Sequence, residues 1–235
     1  MNYKKLSVIA IILFFFVACK KESPIKESID EKNNSLELLG DSISYIIEGQ
    51  KIILNDKAVR SMLNAKANRK LDSVVNYVEY SSGDQDAVMF GRTFKFSGGK
   101  NGITIMFLKR YTKNETNNAF FVPLNKLDLF SIGEHRYAID FSKTNTQNGI
   151  AIELSGNYYG FQTFSYSSLL YFAPLKAELQ SQSKFEITNF QMLKSGKYLL
   201  EAKFNASVYH GDGSNIKKIE NGYLRLRLDT ESLYF

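Results

Sequence analysis

From residue 42 onward, short runs of alternating apolar and polar positions recur along the chain, separated by Gly, Asn, Asp and Ser. Alternation with a period of two is the mark of a strand with one wet and one buried face. Ser42 to Leu54 places two β-branched runs on either side of Glu48-Gly49-Gln50, which predicts a hairpin with glycine in the turn. Ile103 to Leu108 is a continuous apolar run and predicts a buried strand. Arg136 to Phe141 and Ile150 to Leu154 predict two more strands, with a turn over Asn145 to Gly149 between them. The last third is the most regular. Lys184 to Leu193 predicts a strand, Ser195-Gly196-Lys197 a turn, and Tyr198 to Val208 a long strand with Leu200, Ala202, Phe204 and Ala206 on one face. Ile216 to Leu228 closes the series, with Arg225 and Arg227 alternating against Leu224, Leu226 and Leu228.

Two stretches depart from this period. Val59, Leu63, Ala67, Leu71, Val74, Val75 and Val78 recur near the helical spacing, with Asp56 placed as an N-cap. Leu71 to Tyr80 reads equally well as a strand, so residues 56–70 stay open between helix and strand. Asn125 to Phe130 predicts a short helix. Many short strands at close spacing predict an all-β fold, an antiparallel β-sandwich or a lipocalin-like barrel with one short helix.

The first nineteen residues follow a different pattern. Lys4 and Lys5 precede an uncharged apolar run from Leu6 to Ala18, which ends at Cys19, the one cysteine of the chain. A basic flank, an apolar run and a small residue are the parts of a secretory signal. A run of this length spans about 20 Å as a helix, short of the ~30 Å hydrocarbon core. Phe16-Val17-Ala18-Cys19 resembles the lipobox of bacterial lipoproteins, with Phe16 standing where that family usually has Leu. The resemblance implies cleavage before Cys19, lipidation of its thiol and an outer-membrane anchor facing the periplasm or the cell surface. It also removes an unpaired thiol from an oxidising compartment. Lys20-Lys21-Glu22-Ser23 partly matches the charged export tag of Bacteroidota lipoproteins. The expected organisation is a signal peptide at 1–18, a lipid-anchored polar tether at 19–40 and one β-rich domain at 41–235. The tether is too polar to offset its own ordering entropy.

Composition narrows the function. The net charge is +6, and loss of Lys4 and Lys5 with the signal lowers it by two. No Lys/Arg block that would track phosphates occurs, which argues against nucleic acid as a partner. Eighteen Phe and fourteen Tyr supply a core in a chain with no disulfide to hold it. Ile46-Ile47-Glu48-Gly49-Gln50, Phe185-Glu186-Ile187-Thr188, the long strand through Phe204 and Asn221-Gly222-Tyr223-Leu224 are similar to small lipocalin-like or sandwich lipoproteins of the Bacteroidota. That likeness implies a fold and carries no catalytic residue.

Candidate chemistry is sparse. His135 and His210 each lie beside a turn, without the spacing of a metal or acid-base pair. Asp84 and Asp86 share Asp-x-Asp spacing, and Gly211 to Asn215 adds oxygen donors, but both read as turns. The sequence implies no cofactor, no metal and no enzymatic activity. Tyr158, Tyr159, Phe161, Phe164 and Tyr166, followed by Tyr171 and Phe172, form an aromatic stretch suited to stacking on sugars or anchoring a protein. The expected function is therefore a membrane-anchored, non-enzymatic envelope module that binds protein or glycan or serves a structural role. The alternative is a lipocalin-like carrier of a small apolar ligand.

Overall fold

The computed structural model describes residues 35–55, 58–117, 121–165, 175–210 and 215–229. The chain divides into Met1–Leu38 and Leu39–Phe235. In the first, residues 35–37 form one helical turn. The second is an all-β unit. Its strands are β1 (Ser42–Ile47), β2 (Gln50–Leu54), β3 (Val59–Lys66), β4 (Lys70–Val75), β5 (Val78–Ser82), β6 (Ala87–Gly98), β7 (Asn101–Thr112), β8 (Gly133–His135), β9 (Gly149–Gly156), β10 (Phe161–Gln162), β11 (Lys184–Met192), β12 (Tyr198–His210) and β13 (Asn215–Leu228).

Eleven of these strands form one antiparallel sheet: nine follow the order β2-β1-β13-β12-β10-β9-β7-β6-β3 and β8 and β11 join from the side, while β4 and β5 pair as a separate hairpin. The sheet forks at β12. One edge of β12 is covered by β13, and the other by β11 and then, past Asn205, by β10. β8 pairs with β11, and Tyr137 just beyond it bridges to Ile150 of β9. The two branches of the fork thus rejoin. The sheet also curls into a half-barrel. Arg60 on β3, at one end of the strand order, ion-pairs at 2.5 Å with Asp41 ahead of β1 and donates to the Arg227 carbonyl of β13 at 2.8 Å.

The concave face carries the main core. Phe107 meets Phe94, Phe130 and Phe185 edge-on, with ring centroids 5.8, 5.1 and 5.8 Å away. Phe185 stacks on Phe204 at 5.7 Å. The opposite face of β6, β7 and β9 is covered as well, by a second cluster of Met89, Met106, Leu108, Ala138, Phe141, Ala151 and Phe164. Burial on both faces explains why these strands read as near-continuous apolar runs.

One open region is decided and two local expectations are corrected. Of residues 56–70, left open between helix and strand, Val59–Lys66 is strand and pairs with β6 from Val59↔Lys95 to Lys66↔Val88, while Asp56, expected as an N-cap, lies outside the described residues. The spacing of four that suggested a helix puts Val59 and Leu63 on one face of this strand instead. Val59 is exposed on the strand while Ala67 is buried beyond its end. The short helix expected over Asn125 to Phe130 is a single 3₁₀ turn, Leu127–Phe130. Arg136 to Phe141 is not a strand. Its alternation arises because Tyr137 and Ile139 enter the main core while Ala138 and Phe141 enter the second cluster. The backbone there turns through Phe141 N–H to Ala138 O (3.1 Å), and Asp140 accepts from Thr144 and Thr146 to hold the following loop.

Candidate functional site

The sheet's convex face holds an open cleft of about 520 Å³ lined by Lys184, Glu186, Lys203, Phe204, Asn205, Asn221, Gly222 and Tyr223. Strand register creates it. Glu186, Lys203 and Tyr223 face one another across β11, β12 and β13. The register between β12 and β13 then slips between Phe204↔Gly222 and Ala206↔Ile219, so that Glu220 and Asn221 together oppose Asn205. Asn221 takes a left-handed φ of 50°, which Asn tolerates better than most residues. Such a bulge re-aims side chains locally, and here both asparagines line the cleft.

Gly222 is required by the packing. A Cβ there would lie 2.6 Å from the Phe204 carbonyl oxygen and 2.7 Å from its ring carbons. The charged groups around the cleft are cross-linked. Lys184 pairs with Glu186 at 3.0 Å and Glu134 at 3.6 Å, and the hydrogen bond and charge of Glu186 raise the Lys184 ammonium above its usual value. The Lys184 amide donates to Asn205 Oδ1 at 2.5 Å. Beside the cleft, Glu201 accepts from Tyr223 Oη at 2.5 Å and from Asn189 Nδ2 at 3.0 Å. The arrangement offers amide, carboxylate, ammonium and phenol groups within one concavity, a set able to donate and accept hydrogen bonds in many directions.

The aromatic stretch is divided by the fold. Tyr158, Phe161 and Phe164 are buried, and Tyr159 is 71% exposed. Tyr166, Tyr171 and Phe172 lie outside the described residues. Three of the expected surface aromatics therefore pack inward. Lys217 sits over the rings of Tyr158 and Phe161 at 5.9 and 5.2 Å and ion-pairs with Glu48, so this part of the stretch supports a cation on β13. Phe164 joins the second apolar cluster. An aromatic surface of all five is replaced by packing, with Tyr159 alone displayed among those described.

The histidines serve separate neighbours. His135 Nε2 lies 2.7 Å from the Ser131 carbonyl, with its ring against Phe185, and His210 packs on Phe161. Asp84 and Asp86 form a turn: Asp84 accepts from the Asp86 amide at 2.9 Å and from Asn68 at 3.1 Å, and Asp86 pairs with Lys113. Among the described residues, no three His, Cys, Asp or Glu side chains converge to hold a metal ion. Gly211 to Ser214 and Cys19 lie outside them. Among the described residues no helix is long and apolar enough to cross a membrane.

The cleft escaped sequence reading because its residues come from three strands and depend on a register slip. The signal present was Asn221-Gly222 inside an otherwise alternating strand, the mark of a bulge.

No family model, curated protein or solved structure matches this chain.

Proposed function

We propose that this protein is a lipid-anchored envelope module that binds glycan, without catalysis, through the cleft on the convex face of β11–β13. The anchor rests on the sequence of residues 1–19 alone. The carrying observation for binding is the cleft itself: about 520 Å³, with Asn205, Asn221, Glu186, Lys203 and Tyr223 converging on it. That volume falls within the range of small-ligand sites, about 300–1,000 Å³. Amide and charged side chains around a shallow concavity suit the many hydroxyls of a saccharide. The carrier reading draws less support, because the concave interior holds Phe94, Phe107, Phe130, Phe185 and Phe204 in mutual ring contact.

Calorimetric titration with soluble envelope oligosaccharides tests the reading. Binding weakened at least tenfold by the double change Lys203→Ala and Asn205→Ala is the expected result. Binding of none of them, or equal binding by that variant, overturns it. Membrane partition of wild type against Cys19→Ala tests the anchor, since loss of processing and of membrane association is expected only if Cys19 is acylated.

A further inference from the structure

The convex cleft does not end at its rim. Strand register places Glu134, Glu186, Lys203 and Tyr223 in one row across β8, β11, β12 and β13. Two carboxylates directly opposite each other repel. Lys184 offsets this by pairing with both, at 3.0 Å to Glu186 and 3.6 Å to Glu134. Lys184 lines the convex cleft, while Glu134 lines a second hollow of about 290 Å³ together with Lys109, Asp128, His135, Arg136 and Asn148. The ion pair is therefore a shared rim, and the two hollows adjoin. Paired strands lie about 4.8 Å apart, so the row from Glu134 to Tyr223 covers roughly 14 Å, more than one sugar ring occupies.

Hydrogen bonding across both hollows is one-sided, because the protein already engages the acceptors. Glu186 and Glu134 face Lys184, and Asp128 takes Lys109 at 2.7 Å and the Tyr111 phenol. Asn148 Oδ1 accepts the Arg110 amide at 2.8 Å, and Asn205 Oδ1 accepts the Lys184 amide at 2.5 Å. These backbone donors orient the two side-chain amides so that their NH₂ groups bond to no described residue. The cations divide in the same way. Lys184 and Lys109 are paired, whereas Lys203 and Arg136, one in each hollow, are exposed and make no ion pair with any described residue. Free donors beside occupied acceptors suit a ligand rich in acceptors. A sugar hydroxyl donates and accepts, but a carboxylate only accepts and makes the stronger, charge-assisted bond.

We propose that the convex cleft and the second hollow together bind an acidic oligosaccharide, with one uronate carboxylate at Lys203 and another at Arg136. This rests on the glycan-binding reading and narrows it to a charged, extended chain.

The test is calorimetric titration of the purified chain with uronate oligosaccharides of gluco-, galacto- and manno-configuration, from disaccharide to hexasaccharide, each beside its carboxyl-reduced neutral counterpart. At least one acidic series should bind about tenfold or more tighter than its counterpart, as a single charge-assisted hydrogen bond supports. Its affinity should rise with length beyond the disaccharide and fall as salt is added. Lys203→Met should weaken the acidic chains about tenfold and leave the reduced chains within about twofold. Arg136→Met should remove the gain with length. Both positions are exposed, so neither change should move the melting temperature. The proposal is overturned if reduced chains bind as well as acidic ones, if a disaccharide binds as tightly as a hexasaccharide, or if both variants keep wild-type affinity. Those outcomes leave the glycan reading standing, whereas binding of no oligosaccharide of either kind removes both.

Discussion

Tyr223 donates a hydrogen bond to Glu201 across the β12–β13 ladder at 2.5 Å, and Asn189 on β11 donates to the other carboxylate oxygen at 3.0 Å. Burial by itself would raise the Glu201 carboxyl. The two hydrogen bonds and the charge of Arg225 outweigh it and hold the group below its usual 4.5. A carboxyl lowered in the folded state stabilises the fold above its unfolded value, and that contribution is lost as pH falls through the folded one. Tyr223 shifts in the opposite sense: burial, the bond to Glu201 and its charge push the phenol up to about 12. The neutral phenol therefore contributes below the unfolded value near 10, and the contribution disappears as pH rises from 10 towards 12. Glu201→Gln should flatten the loss of melting temperature below pH 4.5, and Tyr223→Phe should flatten it above pH 10. Melting curves from pH 3 to 12 check both, and a wild-type profile unchanged by either substitution refutes this reading.

Gly222 and Gly40 form a matched pair for testing the bulge. A methyl group at Gly222 meets Phe204, whereas one at Gly40 meets nothing within 4 Å. Gly222→Ala should destabilise by about 1–3 kcal/mol through overpacking. Gly40→Ala should stay within about 0.5 kcal/mol of wild type or stabilise slightly by restricting the unfolded chain. Urea unfolding midpoints measure the difference, and equal midpoints would show that the Phe204 carbonyl and ring both shift freely to admit the methyl group.

Phe107 and Tyr159 sit at opposite extremes of the aromatic population. Phe107 touches three rings in the main core, while Tyr159 is mostly in solvent. Phe107→Ala should cost about 3–5 kcal/mol, as large-to-small changes at buried aromatic positions do. Tyr159→Ala should change stability by less than about 0.5 kcal/mol. Chemical denaturation of the two variants decides between a filled interior and one that can collapse around a missing ring.

The β4–β5 hairpin turns through Asn76 and Tyr77, with φ of 50° and 64°, between the paired residues Val75 and Val78. Two left-handed residues define a type I′ turn, which favours Asn followed by Gly. Asn76 suits its position, and Tyr77, 92% exposed, does not. Moving an L-residue into this region costs roughly 1–2 kcal/mol, partly offset in a glycine variant by its greater unfolded freedom. Tyr77→Gly should therefore stabilise the hairpin by up to about 1 kcal/mol. Amide hydrogen exchange at residues 70–82 reads this directly, and faster exchange in the variant would contradict it.

What the sequence disclosed followed from whether one face of each strand was wet. β1, β2, β12 and β13 alternate cleanly because their outer residues, such as Lys203, Asn205 and Arg225, meet solvent at least in part. The all-β class and the Glu48-Gly49 hairpin were legible for that reason. β3 and the segment after β8 were not, because their side chains divide between two apolar clusters. The aromatic stretch misled for a related reason. Tyr and Phe satisfy a core and a binding surface equally, and here Tyr158 and Phe161 join the main core beneath Lys217 of β13, which pairs with Glu48 of the β1–β2 turn. The convex cleft and the closure of the half-barrel depend on partners far apart in sequence, such as Lys184 with Asn221 and Arg60 with Arg227, and no local pattern records such pairs.

The pairing of β1 with β13, running from Ser42↔Arg225 to Ile47↔Ile219, has a kinetic side. β1 finds one neighbour at once in β2, but its other edge waits for β13, more than 165 residues further along the chain. Long-range pairings of this kind slow folding, because loop closure must precede the contacts that reward it. Until residues 215–228 arrive, the Ile-rich edge of β1 offers unpaired N–H and C=O groups to any passing strand. A chain interrupted before β13 leaves β1 with one edge unpaired, so a single missing strand exposes the far end of the sheet.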